Sequence, residues 1–177
     1  MCNLRVFPLA IFLIVFSLLS STQARAANSR YFTVQWNQPE LLRRFNDNLS
    51  IGNLNRFIQK GNIVTVEDEL YAKLDVILEK AQIVLDMFPK GIKVTLVLLP
   101  DRRAVTAVYQ QKYGKAADNI AYYSLSENTI YVSVKDANLQ VIAHELGHAI
   151  VNHYFTERPP YNIHELMAQF VEKHITD

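Results

Sequence analysis

Two histidines and a glutamate form the pattern His-Glu-x-x-His at His144, Glu145 and His148, inside an apolar stretch of helix-forming residues. On a helix, residues four apart lie on nearly the same face one turn along, so two imidazole nitrogens can bind one metal ion. Imidazole is a common ligand of Zn²⁺, and a carboxylate one position further round can hold a metal-bound water without binding the metal. The spacing therefore predicts a zinc site in which Glu145 is the general base of a hydrolase.

The residues around the motif have the periodicity of an amphipathic helix. At about 100° per residue, the polar residues of the motif fall on one arc and the apolar residues of 139–151 on the other. We expect Asp136 to cap this helix. Gly147 costs about 1 kcal/mol of helix propensity relative to Ala, and a close approach of another backbone, which only Gly permits, would justify that cost. The alternative is a chance match on an amphipathic helix. The apolar arc consists of Leu139, Ile142, Ala143, Leu146, Ala149 and Ile150.

Two histidines do not complete a catalytic zinc site, which usually has three protein ligands and one open position. A metzincin would continue with Gly at position 151 and His at position 154. The chain has Val151 and Tyr154, which excludes that class. The third ligand must therefore come from further along the chain.

A second helical pattern follows the double proline at positions 159 and 160. Glu165 falls on its polar face, so a short helix folded back against the first one would bring this carboxylate to the histidines. His164 is the competing third ligand, and an ordinary solvated glutamate is the other alternative. The apolar face of this second helix is predicted to consist of Ile163, Leu166, Met167, Phe170 and Val171.

This arrangement resembles the gluzincin metallopeptidases, especially their small peptidase-MA-like group. In that group a helix bearing Glu-Gly-x-Ala or a close variant supplies the third zinc ligand, and Glu165-x-x-Ala168 stands in that place here. Leu166 replaces the usual Gly, and Asn162-Ile163 replaces the Trp-Leu that often precedes the glutamate. The resemblance covers about residues 119–175. It implies a zincin-like fold and one Zn²⁺ per chain, with His144, His148 and Glu165 as ligands.

The resemblance also suggests groups around the metal. Thermolysin-like relatives have an Asp one turn after the glutamate as an outer partner of a ligand, and this chain offers Gln169 there. No motif specifies a side chain that stabilises the oxyanion. The nearby candidates for that role are Tyr154, Tyr161 and His164.

Substrates of zincins typically lie extended along an exposed edge strand beside the metal helix. The resemblance places this strand at Asn119, Ile120, Ala121, Tyr122 and Tyr123. A peptide can add to such an edge through main-chain hydrogen bonds, and it would use the N–H of Tyr122 if that donor points outward. The alternative is a strand that is covered or interior.

Residues 1–26 have the pattern of a secretory signal peptide. Arg5 precedes an apolar run over residues 6–19, and Ala24-Arg25-Ala26 matches an A-x-A cleavage site. The run is shorter than the roughly 20 apolar residues of a membrane span, so an uncleaved anchor is the alternative. Cys2 is the only cysteine and precedes the run, so cleavage would leave a domain without disulfides. We expect a secreted or periplasmic protein.

The remaining residues, 27–177, suit one ordinary domain. The signal segment contains Arg5 and Arg25 and no acidic residue, so the rest of the chain has 16 basic and 17 acidic residues. This balance gives no electrostatic reason to expect binding to nucleic acid or to an anionic membrane. No feature of the sequence indicates an oligomeric state.

The elements before the motif predict an α+β domain with a small mixed sheet. Residues 27–37 show no clear period, and a capping-box variant at 65–68 opens the longest helix. The strand over 92–99 is continuously apolar, which predicts burial on both faces. The predicted elements are helices over 39–49, 66–88 and 101–114 and strands over 92–99, 119–125 and 129–134.

These observations predict zinc-dependent hydrolysis of a peptide or protein substrate. Few residues follow Glu165, so we expect an open cleft, which suits either a peptidase for unfolded chains or a module that acts with a partner. The alternatives are therefore a non-catalytic zinc-binding or partner-binding domain of the same fold, and an amidase that acts on cell-wall peptides.

Overall fold

The structure is a computed structural model that describes residues 27–59, 61, 63–115 and 117–177. The predicted signal peptide, residues 1–26, lies outside the described residues. The strands are β1 (Ala27–Asn28), β2 (Phe32–Gln35), β3 (Val94–Leu99), β4 (Ala121–Ser124) and β5 (Thr129–Ser133). The helices are α1 (Pro39–Asn48), α2 (Val66–Leu85), α3 (Arg102–Tyr113), α4 (Leu139–Tyr154) and α5 (Tyr161–His174), with a 3₁₀ helix at Gly52–Phe57. None of the described helices is long and apolar enough to cross a membrane.

The strands form one mixed sheet in the order β1-β2-β3-β5-β4. Strands β2, β3 and β5 are parallel, whereas β1 and β4 pair antiparallel at the two edges. The predicted α+β class with a small mixed sheet is therefore confirmed. Strands β1 and β2 were not predicted, because β2 has only four residues and is defined by its pairing with β3 more than by a local pattern.

The main core lies between one face of the sheet and the helices α1, α2 and α4. The predicted burial of both faces of β3 is wrong. Its residues alternate between buried and partly exposed, because α3 lies mainly over β5 and covers the other face of β3 incompletely. The buried residues of β3 are Val94, Leu96 and Leu98.

The ends of α2 and α3 follow from their capping residues. Thr65 and Asp68 form the predicted capping box, with each side chain bonded to the backbone of the other residue. Helix α2 ends at Leu85 because Asp86 takes a left-handed conformation with φ 53°, so the prediction that the helix continues to residue 88 is wrong. Helix α3 begins after Asp101 and ends at Gly114, as predicted.

Helix α4 has the predicted apolar arc, and every member of that arc is buried. Its predicted cap is wrong. Asn138 accepts a hydrogen bond from the N–H of Val141 and caps the helix, whereas Asp136 accepts a hydrogen bond from the hydroxyl of Ser133. The motif is therefore held by a helix that the core anchors along its length.

Helix α5 does not bury the predicted apolar face. Leu166 is 61% exposed and Phe170 is 48% exposed, and Ile163 is also exposed. Of the predicted face only Val171 is buried, and the other buried residues of this helix are His164 and Ala168. Helix α5 packs against the surface of α4 that carries the histidines. The side of α5 that faces α4 is therefore the one whose polar side chains can bond to those histidines.

Candidate metal centre

The two histidines of the motif approach each other on α4. The Nε2 atoms of His144 and His148 are 3.2 Å apart, and both side chains are partly exposed. Glu145 is 7% exposed and lies beside them. The helical spacing of the motif therefore brings two imidazole nitrogens together next to a carboxylate, as the sequence predicts.

Helix α5 adds the carboxylate of Glu165 to this pair. One oxygen of Glu165 lies 3.5 Å from Nε2 of His144, and the other lies 3.5 Å from Nε2 of His148. Bond lengths of about 2.0–2.1 Å and tetrahedral angles would put zinc ligand atoms about 3.3–3.4 Å apart. The three side chains form the one group among the described residues that could hold a metal ion.

Close packing between the two helices brings Glu165 to this position. A Cβ atom built on Gly147 would lie 2.8 Å from the Cα of Ala168, a distance that packed atoms do not reach. Glycine at this position lets the backbone of α5 lie directly against α4. The close approach predicted for Gly147 is confirmed, and it accounts for a helix-weakening residue in the middle of α4.

A second partner holds each histidine from behind. Nδ1 of His144 lies 2.9 Å from Oε2 of Glu172, and Nδ1 of His148 lies 2.8 Å from Nδ1 of His164. An imidazole that donates from Nδ1 presents a lone pair at Nε2, so these contacts leave both Nε2 atoms free to bind a metal. Glu172 was not predicted. The available signal was its spacing, seven residues after Glu165 and therefore on the same face of α5.

The other predicted residues around the metal occupy different places. His164 lies behind His148 and outside the candidate ligand group, so the hypothesis that it competes as third ligand is not supported by its position. Gln169 donates to Oε1 of Glu165, as an outer partner would. Tyr161 lines the cavity beside the group, whereas Tyr154 is not among the lining residues and packs against Phe155.

The surroundings of His148 favour its neutral form. Burial, together with the nearby His144, His164 and Arg158, lowers the pKa of His148 to about 3. Burial and Arg158 also lower the pKa of His164, although Glu165 opposes this effect. The neutral imidazole is the form that binds a metal, so His148 is ready to act as a ligand at neutral pH.

The surroundings of Glu145 disfavour its charge. Burial raises the pKa of Glu145 to about 8, the charges of Glu165 and Glu172 add to this, and the backbone N–H of Tyr123 opposes it. A divalent cation held by the neighbouring ligands would favour the carboxylate again. A buried carboxyl with a raised pKa beside a potential metal site is a common feature of general bases.

A cavity of about 650 Å³ opens over the candidate metal group. Strand β4 forms one of its walls and lies at the edge of the sheet, as predicted. The predicted docking residues Asn119, Ala121, Tyr122 and Tyr123 line this cavity, and Ile120 is not among the lining residues. Tyr109, Tyr113 and Arg158 also line it, and neither the motif nor the resemblance predicted them.

The direction of the backbone groups of β4 follows from its pairing with β5. The N–H of Ser133 donates to the carbonyl of Ile120, and residues in an antiparallel pair point alternately toward and away from the partner strand. Tyr122 therefore points its N–H and carbonyl toward β5, whereas Ala121 and Tyr123 point theirs to the open edge. The N–H of Tyr122 is not available to a docking peptide.

No protein-family model, curated protein or solved structure matches the chain. The function of the site therefore has to be inferred from its own residues and geometry.

Proposed function

We propose that this protein is a zinc-dependent hydrolase of peptide bonds, in which His144, His148 and Glu165 hold the metal and Glu145 is the general base. The observation that carries the proposal is the convergence of three side chains from two helices: the two Nε2 atoms lie 3.2 Å apart, and each lies 3.5 Å from one oxygen of Glu165. The resemblance to gluzincins and a secreted or periplasmic location are part of the same proposal.

The donor set suits zinc, since two neutral imidazoles and one carboxylate are a common ligand combination of catalytic zinc sites. When bound, Zn²⁺ acts as a Lewis acid toward a carbonyl oxygen and lowers the pKa of a bound water. Glu172 and His164 orient the two histidines, and Gln169 orients Glu165.

Glu145 is placed to move a proton during the reaction. It follows His144 directly in α4, and its carboxyl group lines the cavity beside the proposed ligands. As general base it accepts a proton from the attacking water and then delivers that proton to the amine that leaves. Its burial excludes bulk water, which would otherwise compete for the carboxylate.

A substrate strand would add to the open edge of β4, where the backbone groups of Ala121 and Tyr123 point outward. The outward N–H of Tyr123 faces the carboxyl group of Glu145, so within the described part of β4 the N–H of Ala121 is the one left for a substrate. Main-chain pairing of this kind binds extended peptides and favours unfolded substrates over folded ones.

The experiment that tests this function compares Glu145→Gln with the wild-type protein. Both are loaded with zinc and incubated with a denatured protein, with and without a chelator, and fragments are detected by mass spectrometry. We expect Glu145→Gln to keep the metal but to lose about 10²- to 10⁴-fold in rate, because Gln cannot accept a proton. Glu157→Gln, at an exposed residue outside the cavity lining, is the matched control.

Unchanged turnover in Glu145→Gln would contradict the assigned base. Bound zinc without cleavage by the wild-type protein would instead favour a non-catalytic zinc-binding domain. A protein that binds no zinc would contradict the whole site.

A further inference from the structure

The N-terminal end of α5 forms part of the wall of the metal cavity. Pro160 precedes the helix and offers no side-chain cap. The N–H groups of Ile163 and His164 bond to the carbonyl of Pro160, whereas those of Tyr161 and Asn162 bond to no other described residue. Free N–H groups and the positive end of the helix dipole favour an anion at this end of the helix.

Arg158 adds a positive charge at the same place. Among the described residues that line the cavity, it is the only Lys or Arg. Its side chain is exposed, and no carboxylate among the described residues forms an ion pair with it. A guanidinium with free donors can bind a carboxylate through two parallel hydrogen bonds.

His164 supplies an independent sign of a missing acceptor. It is 2% exposed, and its Nε2 atom is buried without a hydrogen-bond partner among the described residues. If His148 binds a metal through Nε2, its Nδ1 carries a proton and donates to Nδ1 of His164. The proton of neutral His164 then resides on Nε2, so this atom is a donor that needs an acceptor.

Two carboxylates, Glu145 and Glu165, line the same cavity and would repel an anion. A divalent cation bound to the proposed ligands offsets their charge, and Arg158 then leaves this end of the cavity positive. An anion is therefore expected beside a bound metal and not in the metal-free protein.

We propose that Arg158, His164 and the first turn of α5 bind a carboxylate of the substrate, so that the enzyme selects peptides with a carboxylate close to the scissile bond. This inference depends on the proposed function. The carboxylate is either the C-terminus of a peptide or the side chain of an acidic residue, and the two sources share the same chemistry.

The test measures peptide binding by calorimetry to zinc-loaded Glu145→Gln protein, in which slow turnover leaves the ligand intact. The three probes are N-acetyl-Ala-Phe-Ala with a free carboxylate, the same peptide as its amide, and N-acetyl-Ala-Phe-Glu as its amide. We expect at least one carboxylate peptide to bind about 10- to 100-fold more tightly than the neutral amide. If only the peptide with the free C-terminal carboxylate binds tightly, the site recognises a C-terminus. If the Glu-containing amide binds tightly, the site recognises an acidic side chain.

The role of Arg158 is tested in the same background. Arg158→Gln is expected to remove the preference, Arg158→Lys to keep part of it, and Arg43→Gln, at an exposed residue of α1, to leave it unchanged. A preference that survives in Arg158→Gln would place the carboxylate on the metal and overturn the inference. Equal binding of all three peptides, or binding of none, would also overturn it.

Zinc content and cleavage of the amide peptide by the wild-type protein separate the two proposals. A zinc-loaded, active protein without a carboxylate preference overturns this inference alone. Absence of bound zinc overturns both.

Discussion

Helices α4 and α5 contribute to the same candidate site in different ways. Helix α4 carries His144, Glu145 and His148 within five residues, and the core buries the opposite side of the helix. Helix α5 contributes Glu165 and the outer partners His164 and Glu172, yet exposes most of its large apolar side chains. The first helix is positioned by apolar burial, and the second by polar contacts and by close backbone packing.

This difference shows that a helix need not bury its most apolar face. The packed side of α5 contains the small Ala168, which lies against Gly147, and His164, which bonds to His148. A large side chain in place of Ala168 would separate the helices and move Glu165 away from the histidines.

The largest effect is expected for matched leucines on the two helices. Leu146→Ala in α4 should lower the free energy of unfolding by about 2–5 kcal/mol, because it leaves a cavity in the core. Leu166→Ala in α5 should change it by no more than about 0.5 kcal/mol, because that side chain is 61% exposed. Urea titrations of both variants measure the contrast, and equal losses would show that α5 buries its apolar face after all.

The next largest effect is expected at the proposed third ligand. Glu165→Ala should weaken zinc binding more than His164→Ala does. Glu165→Ala removes a ligand atom, whereas His164→Ala removes an outer partner, whose loss typically lowers metal affinity about 10- to 100-fold. Competition with a coloured chelator measures both affinities, with Glu157→Ala as control. A larger loss in His164→Ala would make His164 the third ligand.

A smaller loss is expected for the outer partner of His144. Glu172→Ala should weaken zinc binding by about 10- to 100-fold, because the ring of His144 loses the acceptor 2.9 Å from Nδ1. Gln169→Ala should have less effect, since Gln169 is exposed and bonds only to Glu165 among the described residues. If Gln169→Ala weakens binding more than Glu172→Ala, the assignment of the outer partners is wrong.

Packing between the helices is tested at Gly147. Gly147→Ala should destabilise the protein by about 1–2 kcal/mol, because overpacking against Ala168 outweighs the gain in helix propensity. Thermal unfolding measures the change, and Gln140→Ala, on the exposed side of α4, is the control. A stabilised Gly147→Ala protein would mean that α5 can move away at no cost.

An effect no larger than that of Gly147→Ala, and confined to high pH, is expected at a residue outside both helices, and its pH dependence must be known before stabilities are compared. Burial raises the pKa of Asp75 from 3.8 to about 6. The folded state therefore binds more protons than the unfolded state between these values, and stability falls as the pH rises through 6. Asp75→Asn should be about 1–2 kcal/mol more stable than wild type at pH 8, after allowance for solvent screening, and nearly equal to it at pH 4.

Thermal unfolding of metal-free protein at both pH values checks this expectation. Asn can still accept the hydrogen bond from the hydroxyl of Ser29, so the packing of the site is kept. A stability difference that is the same at both pH values would show that ionisation of Asp75 is not its cause.

Local spacing was enough to predict α4 and the three residues of its motif. The helical repeat specifies which residues share a face, and the apolar arc opposite the motif is buried as expected. The cap was predicted incorrectly because Asp136 and Asn138 are both good capping residues, and local pattern does not decide between them. The roles of Glu145 as base and of the histidines as zinc ligands remain predictions.

The position of Glu165 was expected from the polar face of the second helical pattern and from the resemblance, but the surroundings of that residue were not. Arg158 lines the cavity and Glu172 contacts His144 only after α5 folds back on α4. The spacing of Glu172 from Glu165 indicated a shared helix face, but it did not indicate which side chain that face would meet. Strand β2 was missed for a related reason, since its partner β3 lies about 60 residues away.

Patterns that repeat within a few residues predict the long helices, the strands β3, β4 and β5, and the His-Glu-x-x-His face of α4. Three features emerge only when the elements pack together: the side of α5 that is buried, the partners of the histidines, and the backbone groups of β4 that point outward. Periodicity describes one element alone, whereas these features depend on the shape and polarity of the element that packs against it.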